Sequence, residues 1–155
     1  MNFSFLELKI PPPLVAAVAA CLMWAIAWVL PSLNLALPGR MPAAILAALI
    51  GGVAGVAGII EFRRARTTVN PHRPGTASAL VAGGIYQLTR NPMYLGLALV
   101  LLGWGIFLAN PVSLAVLFPF VGYMNRFQIV PEEKVLESLF GEAFATDRLK
   151  VRRWL

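Results

Sequence analysis

Hydrophobic positions dominate this chain in three blocks, 10–39, 41–60 and 91–125, none of which contains an Asp, Glu, Lys or Arg. Between and after them the pattern changes abruptly. Residues 61–90 bring arginines, prolines and paired glycines, and residues 126–155 carry most of the chain's charge. An α-helix needs about 20 apolar residues to cross a hydrocarbon core, and lipid leaves backbone polar groups no partner outside a helix or a closed barrel. The blocks therefore predict an all-α integral membrane bundle of four transmembrane helices, with spans near 13–31, 42–62, 93–109 and 112–129. Asn110-Pro111 splits the last pair into a hairpin. Its two arms are short, since about 17 residues rise roughly 25 Å against a core near 30 Å.

The regions between spans complete a single domain over 1–155: a cytoplasmic loop 63–90 and a C-terminal amphipathic cytoplasmic helix 131–155. In that helix Val135, Leu136, Leu139, Phe140, Ala143 and Phe144 recur at helical spacing, which lets it lie across the mouth of the bundle. Pro11-Pro12-Pro13 ends an interfacial arm over 3–10 and starts the first helix, because proline fits a first helical turn and little else. Within the loop, 78–81 can form a helical turn ahead of Gly83-Gly84. In the second span Gly51, Gly55 and Gly58 mark one flat face for close approach of another helix. The length of the first apolar stretch and the lack of a small-residue cleavage site speak for a retained span rather than a cleaved signal.

Composition sharpens the membrane reading. The chain is 59% hydrophobic and 13% charged, against roughly 25% charged in a soluble domain. Lys9, Arg63, Arg64, Arg66, Arg73, Arg90, Arg126, Lys134, Arg148, Lys150, Arg152 and Arg153 fall on one side of the predicted bundle, and Arg40 alone on the other. The positive-inside rule then places both termini in the cytoplasm, with a bacterial inner membrane as the expected home. A net charge of +6 follows from this topology and from attraction to anionic lipid, so it is no argument for nucleic acid. The tail from Arg148 to Leu155 joins four cations to Trp154 and reads as a membrane anchor. Cys21 is single and His72 is the one histidine, which excludes a disulfide within the chain and any multi-cysteine or multi-histidine metal site. His72, beside Pro71, reads as a loop residue. No ionisable group lies in mid-span, which weighs against a proton- or ion-coupled carrier.

Chemistry concentrates where the hairpin begins and ends. Asn91-Pro92 is a helix start, Asn as cap and Pro at the first helical position, and Arg90 stands immediately before it. A helix N-terminus attracts anions, and a guanidinium has bidentate geometry for a carboxylate. The hairpin returns Pro131-Glu132-Glu133 to the same surface. Arg90 would hold a ligand carboxylate there, and the glutamates an ammonium or ribose hydroxyls. S-adenosylmethionine carries all of these groups.

At this point the chain resembles a known family. Leu80-Val81-x-x-Gly84-Ile85-Tyr86, Arg90-Asn91-Pro92-Met93-Tyr94-Leu95-Gly96, Pro131-Glu132-Glu133, Phe140-Gly141-Glu142 and Val151-x-Arg153-Trp154 occur in the order seen in the isoprenylcysteine carboxyl methyltransferase and phospholipid methyltransferase superfamily of integral membrane enzymes. The resemblance covers the chain from residue 67 onward. It implies a pocket for S-adenosylmethionine in which Leu80, Val81, Gly84, Tyr86, Arg90, Asn91, Pro92, Tyr94, Glu132 and Glu133 bind the cofactor, and it names no metal. Ser78 and Asn91 stand where many relatives have His, and Phe144 and Asp147 lie where relatives tend to carry tyrosines.

Methyl transfer is an in-line displacement whose main demand is alignment. A carboxylate or thiolate acceptor needs no strong base, whereas an amine or hydroxyl does, and Glu133 is the expected base with Arg90 orienting cofactor or substrate. The reading is thus a methyltransferase acting at the cytoplasmic face on a lipid or small lipophilic substrate that enters laterally. Two alternatives stand beside it: a non-enzymatic lipid-binding or assembly subunit that keeps the fold, and a small-molecule exporter. Oligomeric state is open, because the glycine face can pack within one chain or between two.

Overall fold

The computed structural model describes residues 7–65 and 79–155, and in these it is helical with no strand. Seven helices follow in chain order. They are α1 (Pro12–Val29), α2 (Arg40–Arg64), α3 (Pro92–Leu108), α4 (Pro111–Leu114), α5 (Leu117–Met124), α6 (Val130–Phe140) and α7 (Glu142–Lys150). The expectations for His72, Arg66, Arg73 and Ser78 fall outside the described residues, as does the arm over 3–6.

Helices α1 and α2 are long and apolar enough to cross a membrane, while α3 is apolar but only 17 residues long. Their outward surfaces are those of an inverted globule: Trp28, Leu49 and Val53 are 74%, 61% and 68% exposed. A soluble monomer rarely leaves so continuous an apolar surface open. What α1 buries beyond Pro12 is a narrow stripe of Ala16, Ala19, Met23 and Ala27 at spacings of three and four, whose three alanines let α3 and α5 come close.

The glycine face of α2 packs within the chain, on α3. A Cβ built on Gly51 would meet the Gly96 carbonyl oxygen at 2.6 Å, and one on Gly103 would meet the Ala44 carbonyl oxygen at 2.6 Å. Backbone meets backbone here, as small residues permit in apolar surroundings. At the far end of α3, Asn110 is 1% exposed. Its Oδ1 accepts from Val112 N and Ser113 N, both at 3.0 Å, while Nδ2 donates to Leu30 O at 3.2 Å and Asn34 Oδ1 at 2.8 Å. A single amide thus caps α4 and ties the hairpin turn to the end of α1.

Two expected elements differ. The stretch predicted as one span over 112–129 is broken: α4 ends at Leu114, α5 starts at Leu117, and a π-helical turn, Asn125–Ile129, carries the chain straight into α6. Proline explains both irregularities. Pro119 has no N–H for the Ala115 carbonyl, which accepts instead from Phe118 N at 3.1 Å. Pro131 likewise leaves the Phe127 carbonyl without its usual donor, and Leu8 N donates to it at 3.0 Å. The helix predicted over 131–155 is also two pieces, because Gly141 at φ 47° interrupts it between Phe140 and Glu142. Nor do 79–81 form a turn of helix; the helical turn in this region is the 3₁₀ segment Gly84–Gln87.

Candidate functional site

The N-terminus of α3, the start of α6 and the segment after α7 meet at one end of the bundle. That meeting depends on the π turn. One extra residue in a turn rotates all that follows by about 100°, and its polar side chains are tied on both flanks. Gln128 Nε2 donates to Ile10 O at 2.9 Å, and Asn125 Oδ1 accepts from Trp154 Nε1 at 3.0 Å. Arg126 pairs with Glu7 at 2.7 Å. Glu132 and Glu133 follow directly on this braced turn.

The segment after α7 runs along the α3 start as a strap. Arg90 N donates to Arg152 O at 3.0 Å, and Arg153 O accepts from Asn91 Nδ2 at 2.9 Å and Thr89 Oγ1 at 3.3 Å. Thr89 Oγ1 in turn accepts from Asn91 N at 3.2 Å. Asn91 is therefore the cap residue by position, but its side chain makes no capping bond; it holds the strap instead.

Charge meets charge beneath the strap. Arg153 grips Glu133 with two bonds, Nε to Oε1 at 3.1 Å and Nη2 to Oε2 at 2.6 Å. Arg90 Nη2 lies 3.2 Å from Glu133 Oε1, and both of those side chains are 12% exposed. Arg90 Nε and Nη1 are buried and have no hydrogen-bond partner among the described residues. Below the guanidinium sits the Phe144 ring, 6.0 Å from Arg90 Cζ and 5.9 Å from Arg148 Cζ, a cation–π distance. Tyr94 OH donates to Glu132 Oε1 at 2.5 Å.

These groups open onto a cavity of about 410 Å³, within the range of small-molecule sites. Its polar wall is Arg90, Glu132, Glu133, Tyr86, Tyr94 and Asp147; its apolar wall comes from Pro12 and Pro13 of α1, Gly55 and Ile59 of α2, and Met93 and Leu97 of α3. Burial governs the titration of the polar wall. It pushes Glu132 up from 4.5 to about 7, with Glu133 adding to the rise and the Tyr94 hydrogen bond opposing it. It raises the Tyr86 phenol, helped by Glu132 and Glu61, and raises Asp147 against the pull of Arg90 and Lys150. It lowers Arg90, although Glu133 works the other way.

Of the residues expected in a cofactor site, Leu80, Val81, Tyr86, Arg90, Asn91, Tyr94, Glu132 and Glu133 line this cavity. Gly84 and Pro92 do not; each shapes the wall from behind. Gly84 has φ 56°, and a Cβ there would meet the Glu61 carboxyl carbon at 2.7 Å; Pro92 lies against Gly58, where an added Cβ would come within 3.1 Å. Glu61 bonds Arg64 at 2.9 Å and also covers that glycine turn. Phe144, Asp147, Thr89 and Arg153 were missing from the expected site. Phe144 and Arg153 stood within quoted motifs or the helical repeat, and the tail cations beside Trp154 carry the look of an anchor.

Comparisons with known proteins add three findings. The family described as phospholipid methyltransferase matches residues 40–143, a range that contains Arg90, Glu132 and Glu133 and stops before Phe144 and Arg153. A protein of Haemophilus influenzae named "Uncharacterized protein" is 44% identical over 63 residues, which is 41% of this chain and 100% of that protein. No solved structure matches the chain.

Proposed function

Because the chain belongs to the phospholipid methyltransferase family, we propose that it is an S-adenosylmethionine-dependent membrane methyltransferase whose acceptor is a lipid or small lipophilic molecule. In this reading the site faces the cytoplasm, both termini lie on that side, and α1, α2, α3 and the α4–α5 arm make four crossings of a bacterial inner membrane. The charge distribution supports it, with Arg40 at one end of α2 and Arg63 and Arg64 at the other.

One observation carries the cofactor assignment: two buried Arg90 nitrogens with no partner among the described residues, at a helix start, inside a cavity. Leaving such donors unmet costs about 1–3 kcal/mol, more when charged. A carboxylate answers donors of this kind through charge-assisted hydrogen bonds. Glu132 and Asp147 on the same wall suit an ammonium or hydroxyls, so the residues present fit an α-amino acid bearing a nucleoside. S-adenosylmethionine, when bound, supplies a methyl group on a positively charged sulfur. The chain's part is to hold and orient: Arg90 and Glu133 fix the polar end, and the wall of Ile59, Met93 and Leu97 admits an apolar acceptor while excluding water.

Calorimetric titration of the full chain in detergent with S-adenosylhomocysteine tests the reading. Arg90→Ala should weaken binding by roughly 10–100-fold, the worth of a charge-assisted pair, with Arg90→Lys between. Tritiated-methyl transfer into a lipid extract then reports activity. An unmodified chain that binds no S-adenosylhomocysteine would sink the assignment.

A further inference from the structure

The strap after α7 has two faces, and the site uses only the inner one. Inward, the Arg152 and Arg153 carbonyls accept from Arg90 N, Asn91 Nδ2 and Thr89 Oγ1, and the Arg153 guanidinium holds Glu133. Trp154, expected at the membrane interface, also turns inward: it packs against the core and donates from Nε1 to Asn125 Oδ1 at 3.0 Å. The outward face differs in kind. Leu149 is 90% exposed, and Leu155 is exposed as well. Lys150 and Arg152, between them in sequence, are exposed and have no ion-pair partner among the described residues. Arg148 is already engaged, 3.6 Å from Glu137 and over the Phe144 ring. None of Leu149, Lys150 and Arg152 lines the cavity.

The attachments of the strap fix its depth. Asn91 is the first residue of the uncharged block 91–125 and Asn125 is its last, with Arg90 and Arg126 on the flanks. The strap is tied to both asparagines, so it lies where the apolar block gives way to charge. In the membrane reading above this level is the boundary between hydrocarbon and headgroups, and the outward leucines and cations stand beside the lipid phosphates. Apolar side chains set among unmatched cations complement a bilayer surface that carries negative charge.

We propose that the outward face of residues 149–155 docks on anionic phospholipid of the surrounding bilayer, and that this docking holds the strap down over the site, so that anionic lipid raises affinity for the cofactor. The second half rests on the cofactor assignment above. Within the chain the strap is held by few bonds, and its one ion pair is partly open to water, with the Arg153 side chain 35% exposed; such pairs contribute little on their own. A cation beside an anionic bilayer surface favours the docked state by about fivefold. Lys150 and Arg152 apply that preference to the same short segment whose carbonyls and guanidinium hold Arg90, Asn91 and Glu133. Cofactor affinity scales with the fraction of chains in which the segment is down. The lipid therefore acts from a face that touches neither donor nor acceptor.

The test compares the full chain in nanodiscs of phosphatidylcholine alone and in nanodiscs with equal parts of phosphatidylcholine and phosphatidylglycerol. By calorimetry, S-adenosylhomocysteine should bind about fivefold more tightly, or better, with the anionic lipid. Raising the salt should shrink that gain, because exposed charges are screened. Leu149→Ser combined with Lys150→Gln should keep the wild-type affinity in phosphatidylcholine and lose the gain. An environment-sensitive fluorophore on Leu149→Cys, in a Cys21→Ser background, reads docking without the cofactor; its emission should shift to the blue in anionic nanodiscs and not in neutral ones. Equal affinity in the two lipids, a gain that survives the paired substitution, a gain reproduced in phosphatidylcholine by soluble glycerol phosphate, or a fluorophore that stays in water in both lipids would each overturn the proposal. Should wild type bind no S-adenosylhomocysteine in either lipid while the fluorophore still shifts, the methyltransferase reading falls and the lipid-docking face stands.

Discussion

Alanine placed at two neighbouring glycines of α2 should have opposite effects on stability. A Cβ on Gly51 would lie 2.6 Å from the Gly96 carbonyl oxygen, 2.9 Å from Leu99 Cβ and 2.9 Å from Val100 N, whereas a Cβ on Gly52 meets nothing within 4 Å. The nearest Gly51 contact falls 0.8 Å short of the 3.4 Å at which ordinary van der Waals contact begins. Two of the three atoms are α3 backbone, so no rotamer change relieves them. The helices must move apart, and overpacking of this kind costs about 1–3 kcal/mol. Both substitutions also gain helix propensity, roughly 0.5–1 kcal/mol for Gly→Ala. Because that gain is common to the pair, the difference between the variants isolates the steric cost. Gly52→Ala should be neutral or slightly stabilising and Gly51→Ala destabilising, with a gap of about 1–3 kcal/mol. Thermal unfolding of each variant in one detergent, followed by circular dichroism, measures that gap. Equal shifts for the two would refute the backbone-on-backbone contact of α2 with α3.

Two further outcomes follow from the site. Arg153→Ala removes both bonds that hold Glu133 and leaves a part-buried carboxylate to Arg90 alone, so S-adenosylhomocysteine affinity should fall by roughly tenfold, with Arg153→Lys recovering part of it; an unchanged calorimetric isotherm would show the strap to be irrelevant to binding. Glu132 gives a pH signature of defined sign. Its folded-state value is raised from 4.5 to about 7, so the folded chain binds the proton more tightly than the unfolded one; the stabilisation is whole below the unfolded value and is lost as pH climbs to about 7. The loss amounts to roughly 3 kcal/mol at 1.36 kcal/mol per unit. Melting curves at pH 4.5 and 7.5 should therefore differ in wild type and converge in Glu132→Gln, and an unaltered pH dependence in that variant would contradict the burial argument.

The parts of the fold legible from sequence are those set by local physics. Charge gaps place α1, α2 and α3 within about two residues because the same gaps define what lipid tolerates, and the Gly51–Gly58 spacing marks a helix contact that the structure finds on α3. Arg90 and the two glutamates could be brought together on paper because a hairpin must return to the side it left. Tertiary contacts decided the rest. The π turn over Asn125–Ile129 depends on donors from Leu8 and the Gln128 bond to Ile10, far away in sequence. Arg153 beside Trp154 looks like an interfacial anchor until its distance to Glu133 is known. Gly141 was the readable signal that went unused: a glycine after Leu139-Phe140 is the usual end of a helix, yet the apolar repeat continued past it and masked the break.

The strap also dates the birth of the site. Residues 152–154 leave the ribosome after α1 to α7, yet they supply the carbonyls that hold Thr89, Arg90 and Asn91 and the guanidinium that fixes Glu133. A nascent chain paused anywhere before Arg152 can insert its helices and still lack a finished pocket. Translation must run to Trp154 before that cavity wall is complete.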